Sequence, residues 1–316
     1  MIKTGNVKEF AFELRNRFSD DLVLSEPLKK HTTYQVGGPA TAMFFPKSKE
    51  KLQEIVISCN DNGIPFFILG GGSNILVHDD GLDQIVIKLN KCCSDITQMG
   101  SQIYAGAGVL VSHLVRFCEE HRLAGLDFMS GIPGTVGGAL RMNAGAFVGE
   151  IGDRVTEIEV MSQDGQFLTI PVEEAGFGYR RADNLGDKII LGCNLKLDKG
   201  NQAVLVEARR EYLKERSVKQ PLDYGSCGSV FKRPPGDYAG SLIEKAGCKG
   251  MKIGGAMVSP KHANFIINYQ NATARDIFQL IQKVQGIVYH KFKIWLELEV
   301  KLIGFSLEEE NSVKKP

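Results

Sequence analysis

The chain has 316 residues, 43% of them hydrophobic, and 35 are glycine, about 11% of the total, against roughly 7% in an average protein. No Gly-X-Y repeat or low-complexity stretch explains this surplus. Because 38 Lys and Arg residues balance 37 Asp and Glu residues, no strong field is available to attract nucleic acid. No stretch reaches the roughly 18 apolar residues of a membrane span and no signal peptide is visible, so we expect a cytoplasmic protein without membrane insertion.

The first hundred residues show alternating helical and strand periodicity. In chain order, the predicted elements are a helix over 7–18, a strand at 42–45, a helix over 49–60 and strands at 65–69, 75–77 and 85–87. The strand, helix and strand from 42 to 69 form a β-α-β unit.

The remaining elements follow the same α+β pattern. They are a strand from 102 broken by Gly106 and Gly108, a helix over 111–118, a sheet region over 155–197, helices over 203–214 and 274–291, and strands at 265–267 and 296–303. The acidic segment after residue 305 has no apolar periodicity, which predicts a disordered tail.

A first glycine-rich loop directly follows the buried strand at 65–69. It consists of Gly70, Gly71, Gly72, Ser73 and Asn74. Small residues after a strand allow several backbone N–H groups to turn toward a phosphate. Ile75 occupies the last position of a Rossmann fingerprint and no Gly-Lys-Ser/Thr follows, so neither the Rossmann nor the Walker loop applies. A tight turn between strands is an equally good interpretation of this loop by itself.

A second loop, over 130–145, mixes glycines with apolar residues, which a plain surface loop would not normally do. Its candidate ligand-binding residues are Ser130, Gly131, Ile132, Pro133, Gly134, Gly137, Gly138, Asn143 and Gly145. Two such loops around one ligand suggest a long cofactor with a diphosphate in its middle.

Other reactive residue types form no familiar constellation. Six histidines show no metal-ligand spacing, seven cysteines include no Cys-x-x-Cys, and Gly-x-Ser-x-Gly is absent. We therefore expect no metal site and reduced, mostly buried thiols. Taken alone, Ser229 fits a turn serine, Glu297 and Glu299 a solvated strand face, and Arg180 and Arg181 a surface pair.

Several motifs nevertheless occur together and in a recognisable order along nearly the whole chain. They are TTYQVGGPA at 32–40, LGGGSN at 69–74, the loop at 130–145, YR at 179–180, GSVFK at 228–232 and EVKLIG at 299–304. With these motifs the chain resembles the UDP-N-acetylenolpyruvoylglucosamine reductase (MurB) family of bacterial flavoenzymes. Too few residues separate Arg180 from Ser229 for the extra tyrosine-bearing loop of the longer type, so the chain resembles the shorter type.

The resemblance implies an α+β fold. Two subdomains would form an FAD-binding unit of the vanillyl-alcohol-oxidase type, followed by an α+β substrate domain. We expect the FAD-binding subdomains at 1–100 and 101–210, the substrate-binding domain at 211–305 and the disordered tail at 306–316.

The resemblance also implies an activity: NADPH-dependent, FAD-mediated reduction of UDP-N-acetylglucosamine enolpyruvate to UDP-N-acetylmuramate in peptidoglycan precursor synthesis. FAD would bind non-covalently on the two glycine loops, with NADPH as co-substrate. Ser229 matches the proton donor to C2, and Arg180 and Glu299 match the residues that stabilise the enolate, although Arg181 leaves open which guanidinium enters the site. The nearest cations for the UDP phosphates are Lys219, Lys232 and Arg233.

Two alternatives remain at this stage. One is an oxidase of the same flavin superfamily with covalently attached flavin, but neither glycine loop contains a His or Cys for attachment. The other is a non-catalytic module that binds a nucleotide sugar. We expect no obligate protein partner in any of these cases.

Overall fold

A computed structural model describes residues 6–147 and 149–315 of the chain. These residues divide into two compact units, each built from separate stretches of sequence. Unit 1 contains the described residues up to Ser25, together with Thr41–Gly71 and Asp83–Glu215, and unit 2 contains Glu26–Ala40, Gly72–Leu82 and the described residues from Arg216 onward.

The helices agree closely with the spacing of apolar residues. They are Val7–Arg17 (α1), Lys49–Asp61 (α2), Val111–Glu120 (α3), Val136–Arg141 (α4), Gln202–Lys219 (α5), Ala239–Lys245 (α6), Ala274–Phe292 (α7) and Leu307–Ser312 (α8). All five predicted helices are confirmed, as α1, α2, α3, α5 and α7. In the described part of the chain, none is long and apolar enough to cross a bilayer.

The strands are short and numerous. They are Leu22–Pro27 (β1), Pro39–Phe44 (β2), Phe66–Ile68 (β3), Ile75–Val77 (β4), Leu82–Ile87 (β5), Ile96–Met99 (β6), Gln102–Gly106 (β7), Leu123–Ala124 (β8), Gly145–Ala146 (β9), Gly149–Glu150 (β10), Val155–Met161 (β11), Phe167–Pro171 (β12), Phe177–Gly178 (β13), Arg181–Ala182 (β14), Ile189–Lys196 (β15), Asp198–Lys199 (β16), Lys252–Ile253 (β17), Ala256–Val258 (β18), Ile266–Asn268 (β19) and Lys301–Ile303 (β20).

Unit 1 is organised around two sheets. The first has the strand order β1-β2-β5-β3, and the second has the order β12-β11-β15-β7-β6 with antiparallel neighbours throughout. Lys49, at the start of α2, places its Nζ 2.7 Å from Oε2 of Glu159 on β11, and the Tyr104 hydroxyl donates to the same carboxylate at 2.6 Å. Together with one continuous apolar core, this group joins the helix of the first sheet to the second sheet.

Unit 2 has a three-stranded sheet, β17-β18-β19, with the amphipathic helix α7 packed against it. The segment Gly72–Leu82 belongs to this unit because β4 pairs in parallel with β20. The Asp79 carboxylate also accepts the N–H groups of Ala274 and Arg275 at 2.8 and 2.9 Å, at the start of α7. A stretch that is close in sequence to the first sheet is therefore held by the carboxy-terminal part of the chain.

The structure corrects two expectations at the carboxyl end. The predicted strand at 296–303 is regular only as β20, because Glu297–Glu299 pair with the segment around Phe231 whereas Lys301–Ile303 pair with β4. Two different partners prevent one continuous ladder.

The predicted disordered tail is wrong over α8. Ser306 and Glu309 form a capping box at its start, and the acidic residues stand in its first turn, where the helix dipole favours negative charge. Val313 is buried, and its carbonyl accepts a hydrogen bond from the buried Gln285 side chain at 2.9 Å.

Candidate active site

The two predicted glycine loops of unit 1 meet through their backbones. A Cβ atom added to Gly71 would lie 2.5 Å from Cα of Gly134, and one added to Gly70 would lie 2.8 Å from Oγ1 of Thr135. A real Cβ does not approach backbone that closely, so position 71 requires glycine, and a side chain at position 70 would displace the Thr135 hydroxyl that caps α4. The loops that the sequence separates by sixty residues thus form one surface.

This surface presents unused hydrogen-bond donors. Among the described residues, the N–H groups of Gly70, Gly71 and Gly134 have no acceptor. By contrast, the first amides of the short helix α4 are already paired, since Val136 and Gly137 donate to carbonyls of Val109 and Ala107 at 2.8 and 2.9 Å. A phosphate on this surface would therefore be bound by the loop amides rather than by the end of α4.

The rest of the second loop serves to shape this surface. Gly131 and Gly134 have φ values of +77° and +119°, which suit glycine. The buried Ser130 hydroxyl donates to the Asp127 carbonyl at 2.6 Å. Ile132 is half-buried against the core of unit 1, and Pro133 is exposed.

The motif at 70–74 crosses the boundary between the two units. Gly70 and Gly71 belong to unit 1, whereas Gly72, Ser73 and Asn74 belong to unit 2. In unit 2, the Gly72 carbonyl accepts the Thr33 N–H at 3.0 Å, and the Asn74 side chain donates to the Glu299 carbonyl at 3.2 Å. Asn74 therefore contacts the backbone of a predicted catalytic residue.

Asn143 is buried in unit 1, and its side chain forms several hydrogen bonds there. Its amide donates to Glu150 Oε2 at 2.6 Å and to the Gly178 carbonyl at 3.3 Å, and it accepts the Gly152 N–H at 3.1 Å. These bonds tie the second glycine loop to the hairpin of β13 and β14. Direct contact between Asn143 and a cofactor remains a prediction.

The hairpin distinguishes the two neighbouring arginines. Arg180 has a left-handed backbone, with φ of +57°, and its Nη2 donates to the Gly145 carbonyl at 3.1 Å. Arg181 is on the opposite side of the turn, with its side chain 67% exposed and paired with Asp183 at 3.3 Å. Arg180 is thus the arginine that lies on the second glycine loop.

In unit 2, the backbone brings Ser229 and Glu299 into neighbouring segments. The Glu299 N–H donates to the Val230 carbonyl at 2.8 Å, and the Lys232 N–H donates to the Glu297 carbonyl at 2.8 Å. Both Ser229 and Glu299 are half-buried. Seventy residues separate them in sequence, and this short antiparallel pairing places their segments side by side.

The serine loop, residues 228–232, directly follows a buried thiol. Cys227 is fully surrounded, and burial raises the pKa of its thiol to about 12, with the negative charge of Glu299 adding to the rise. It stays neutral and serves as packing. All seven cysteines are free thiols in the structure, and all except the half-buried Cys92 are buried, as predicted for most of them.

The three candidate phosphate-binding cations lie at different places in unit 2. Lys219 is exposed at the last position of α5. Lys232 forms an ion pair with Glu297, and the exposed Arg233 places its guanidinium 4.1 Å from the centre of the Tyr238 ring. Lys232 and Arg233 directly extend the serine loop.

One residue of this site had no signal in the sequence. Asn264 is buried, and its side chain bonds to both the N–H and the carbonyl of Phe231. It belongs to none of the glycine loops and stands in a segment without a recognised motif, so only the tertiary contact reveals it.

Comparison with known proteins agrees with this geometry. Residues 40–171 match an FAD binding domain, and residues 220–303 match the carboxy-terminal domain of UDP-N-acetylenolpyruvoylglucosamine reductase. The UDP-N-acetylenolpyruvoylglucosamine reductase of Caldanaerobacter subterraneus is 44% identical over 90% of this chain and 94% of its own. That of Clostridium tetani is 42% identical over 95% of this chain and 98% of its own.

The chain belongs to the UDP-N-acetylenolpyruvoylglucosamine reductase family. A solved member of this family, from Thermus caldophilus, superposes with a TM-score of 0.77 at 36% identity and covers 90% of this chain and 98% of its own. The predicted fold class, an FAD-binding unit followed by the carboxy-terminal domain of the reductase family, is confirmed.

The residues of this family member fit its cofactor, FAD. The surface formed by Gly70, Gly71 and Gly134 lies within the matched FAD binding domain. It has no side chains to exclude a diphosphate, and it has unpaired N–H donors to bind one. These observations support the two-loop prediction for the cofactor.

Proposed function

We propose that this protein reduces the enolpyruvyl group of UDP-N-acetylglucosamine enolpyruvate to give UDP-N-acetylmuramate, with NADPH as the electron source. The observation that carries the proposal is the backbone pairing between the segments of Ser229 and Glu299, in which the Glu299 N–H donates to the Val230 carbonyl at 2.8 Å. This pairing brings the segment that carries the Ser229 hydroxyl next to the segment that carries the Glu299 carboxyl group, in the domain matched to the reductase family.

The reaction adds a hydride to C3 and a proton to C2 of the enolpyruvyl ether. Bound FAD supplies the hydride chemistry after reduction by NADPH. Ser229 donates the proton to C2. Although a serine hydroxyl is a weak acid, the carbanion that it faces is strongly basic, so fixed proximity makes the transfer effective.

Arg180 and Glu299 stabilise the charge that develops on the substrate carboxylate. Arg180 contributes a permanent positive charge from a hairpin turn in which its own backbone is left-handed. For this role Glu299 must hold a proton at the moment the enolate forms, because a carboxylate can only accept hydrogen bonds.

The nucleotide part of the substrate carries two phosphates, which require positively charged side chains. We assign its two phosphates to Lys219, Lys232 and Arg233. Lys232 is already paired with Glu297, so the phosphate would compete with that carboxylate for the ammonium group. The product would enter peptidoglycan precursor synthesis, and we place the reaction in the cytoplasm.

The test is an anaerobic two-step experiment on the purified protein. NADPH should bleach the flavin absorbance, and the enolpyruvyl substrate should restore it. In Ser229→Ala, bleaching by NADPH should be nearly unchanged, while recovery slows by about 100-fold or more, the range expected when a general acid is removed.

The same samples discriminate the alternatives. An oxidase with covalent flavin would keep its colour on the denatured polypeptide, whereas the proposed reductase releases free flavin. A non-catalytic nucleotide-sugar module would show no flavin recovery with substrate, and Ser229→Ala would then change nothing. Either result would contradict the proposed reduction.

A further inference from the structure

Asn264 makes an unusual set of contacts with the two residues that follow Ser229. It lies between β18 and β19 and is 7% exposed. The Phe231 N–H donates to its Oδ1 at 3.0 Å, its Nδ2 donates to the Phe231 carbonyl at 2.8 Å, and the Val230 N–H donates to its backbone carbonyl at 2.8 Å. Three hydrogen bonds from one residue thus hold Val230 and Phe231.

These contacts complete a two-sided restraint on the serine loop. A side-chain amide presents an acceptor and a donor in one plane, as a peptide group does, so Asn264 acts as a neighbouring strand along one edge of Phe231. The opposite edge is occupied by Glu297–Glu299, through the pairs of Glu299 with Val230 and of Lys232 with Glu297. The backbone after Ser229 is therefore fixed between Asn264 and the segment of Glu299.

The turn that carries Asn264 is held by hydrogen bonds to its own side chains. The fully buried Ser259 hydroxyl accepts the N–H groups of Lys261 and His262 at 3.1 and 3.3 Å. The Asn264 N–H donates to His262 Nδ1 at 3.3 Å. Burial lowers the pKa of His262, which favours the neutral ring that this acceptor role requires. The amide of Asn264 is consequently presented from a preformed support.

We propose that Asn264 is a positioning residue for proton transfer, which keeps the Ser229 hydroxyl in register with Glu299. The inference rests on the proposed function, in which Ser229 protonates C2 of the substrate. An apolar side chain of similar size would fill the same space, but it could satisfy neither polar group of Phe231. The need for both an acceptor and a donor selects an amide at this position.

The decisive variant is Asn264→Asp, which keeps the shape and the acceptor but loses the donor. At neutral pH its carboxylate accepts the Phe231 N–H and repels the Phe231 carbonyl. We expect recovery of the flavin by the enolpyruvyl substrate to slow by about 10- to 100-fold, the effect of a displacement of roughly 1 Å in a reacting group. Bleaching by NADPH and the FAD content should stay within about twofold of the wild type.

The pH profile separates positioning from general loss of structure. As the pH falls and the introduced carboxyl group becomes protonated, it regains a donor, so the recovery step of Asn264→Asp should accelerate relative to the wild type. Asn264→Leu has no titratable group and should show a slow recovery step at every pH.

Asn268→Asp is the matched control. The Asn268 side chain also accepts one backbone N–H, from Ala272 at 2.8 Å, and donates to one backbone carbonyl, of Tyr34 at 3.0 Å. The control therefore loses one donated bond in the same unit, and we expect a similar fall in Tm. Its recovery step should remain within about twofold of the wild type.

Amide hydrogen exchange gives a readout that does not depend on turnover. In the protein without cofactor, the Val230 and Phe231 amides should exchange faster in Asn264→Asp and Asn264→Leu than in Asn268→Asp. This measurement needs only a folded chain. If Asn264→Asp or Asn264→Leu fails to fold, Asn264→Ser takes its place.

Two results would overturn the positioning role. One is equal slowing of bleaching and recovery in Asn264→Asp, and the other is an equally slow recovery step in Asn268→Asp. Failure of the wild type to recover with substrate would instead remove the proposed function, and the positioning role with it. The wild type is measured first, so the two failures are distinguishable.

Discussion

The physical cause of the requirement for glycine differs between the two glycine loops proposed to bind the cofactor and the serine loop. At Gly71 an added Cβ would lie 2.5 Å from the Gly134 backbone, so space is the constraint. At Gly228 no atom lies within 4 Å of an added Cβ, but φ is +79°, so conformation is the constraint. The proposed cofactor surface therefore depends on close packing of two backbones, whereas the serine loop depends on a left-handed turn next to Ser229.

Glycine thus supports the two regions by separate means. Tight backbone contact creates a surface with exposed N–H groups and no side chains. A left-handed residue in open space redirects the chain and aims the following hydroxyl. Substitutions in the glycine loops should therefore reduce FAD retention, whereas substitutions in the serine loop should slow flavin recovery with substrate.

The largest effect is expected for Gly71→Ala. Its methyl group would collide with backbone atoms of Gly134, and a backbone cannot move away as a flexible side chain can. We expect a loss of about 1–3 kcal/mol of stability, as for other overpacked sites, and FAD lost during desalting. Flavin absorbance and thermal unfolding measure the two effects. Normal FAD content together with a normal Tm would show that the loops do not meet in solution.

An intermediate effect is expected for Gly228→Ala. Space is available, so the cost is the left-handed conformation of a residue with a Cβ, about 1–2 kcal/mol. FAD should be retained, while flavin recovery with the enolpyruvyl substrate slows because Ser229 is displaced. Gly228→Asn should lose less, since asparagine adopts this conformation more readily.

Gly250 provides the control for this substitution. It belongs to the same unit, has φ of +75° and also has no atom within 4 Å of an added Cβ. Gly250→Ala should lower the Tm as Gly228→Ala does and leave flavin recovery unchanged. If both variants slow recovery equally, the conformation of Gly228 has no special relation to Ser229.

The smallest change in stability is expected for Gly138→Ala. An added Cβ would lie 3.6 Å from Thr135 Oγ1, an ordinary contact, and the position is helical in α4. Alanine should therefore stabilise the protein without cofactor by about 0.5–1 kcal/mol. If glycine is present there to admit FAD, the affinity for FAD should fall at the same time. Isothermal titration and thermal unfolding of the apoprotein measure both. Unchanged affinity would place Gly138 outside the cofactor surface.

Much of the fold was predictable because it depends on local patterns. Apolar spacing indicated α1, α2, α3 and α7, since each buries one face of a helix. The strand at 296–303 and the tail were predicted incorrectly because both depend on distant partners. Glu297–Glu299 pair with the segment around Phe231, and α8 is completed by burial of Val313.

The site shows the same division. Its glycines and the trio of Arg180, Ser229 and Glu299 could be named from motifs. The different contacts of Arg180 and Arg181 could not be predicted, because adjacent residues in a hairpin point in opposite directions only once the turn is formed. Asn264 was invisible to motif reasoning since its role consists entirely of hydrogen bonds to a segment 33 residues away.

The sequence by itself determined where backbone flexibility is needed, which residue types are available for chemistry and which family carries these motifs. Only the tertiary structure decided that the motif at 70–74 is divided between two units and that Glu299 pairs with the Ser229 loop. It also decided which amides of the glycine loops remain unpaired. The physical reason is that composition and spacing report local preferences, whereas close backbone approach and hydrogen-bond pairing are properties of segments that are remote in sequence.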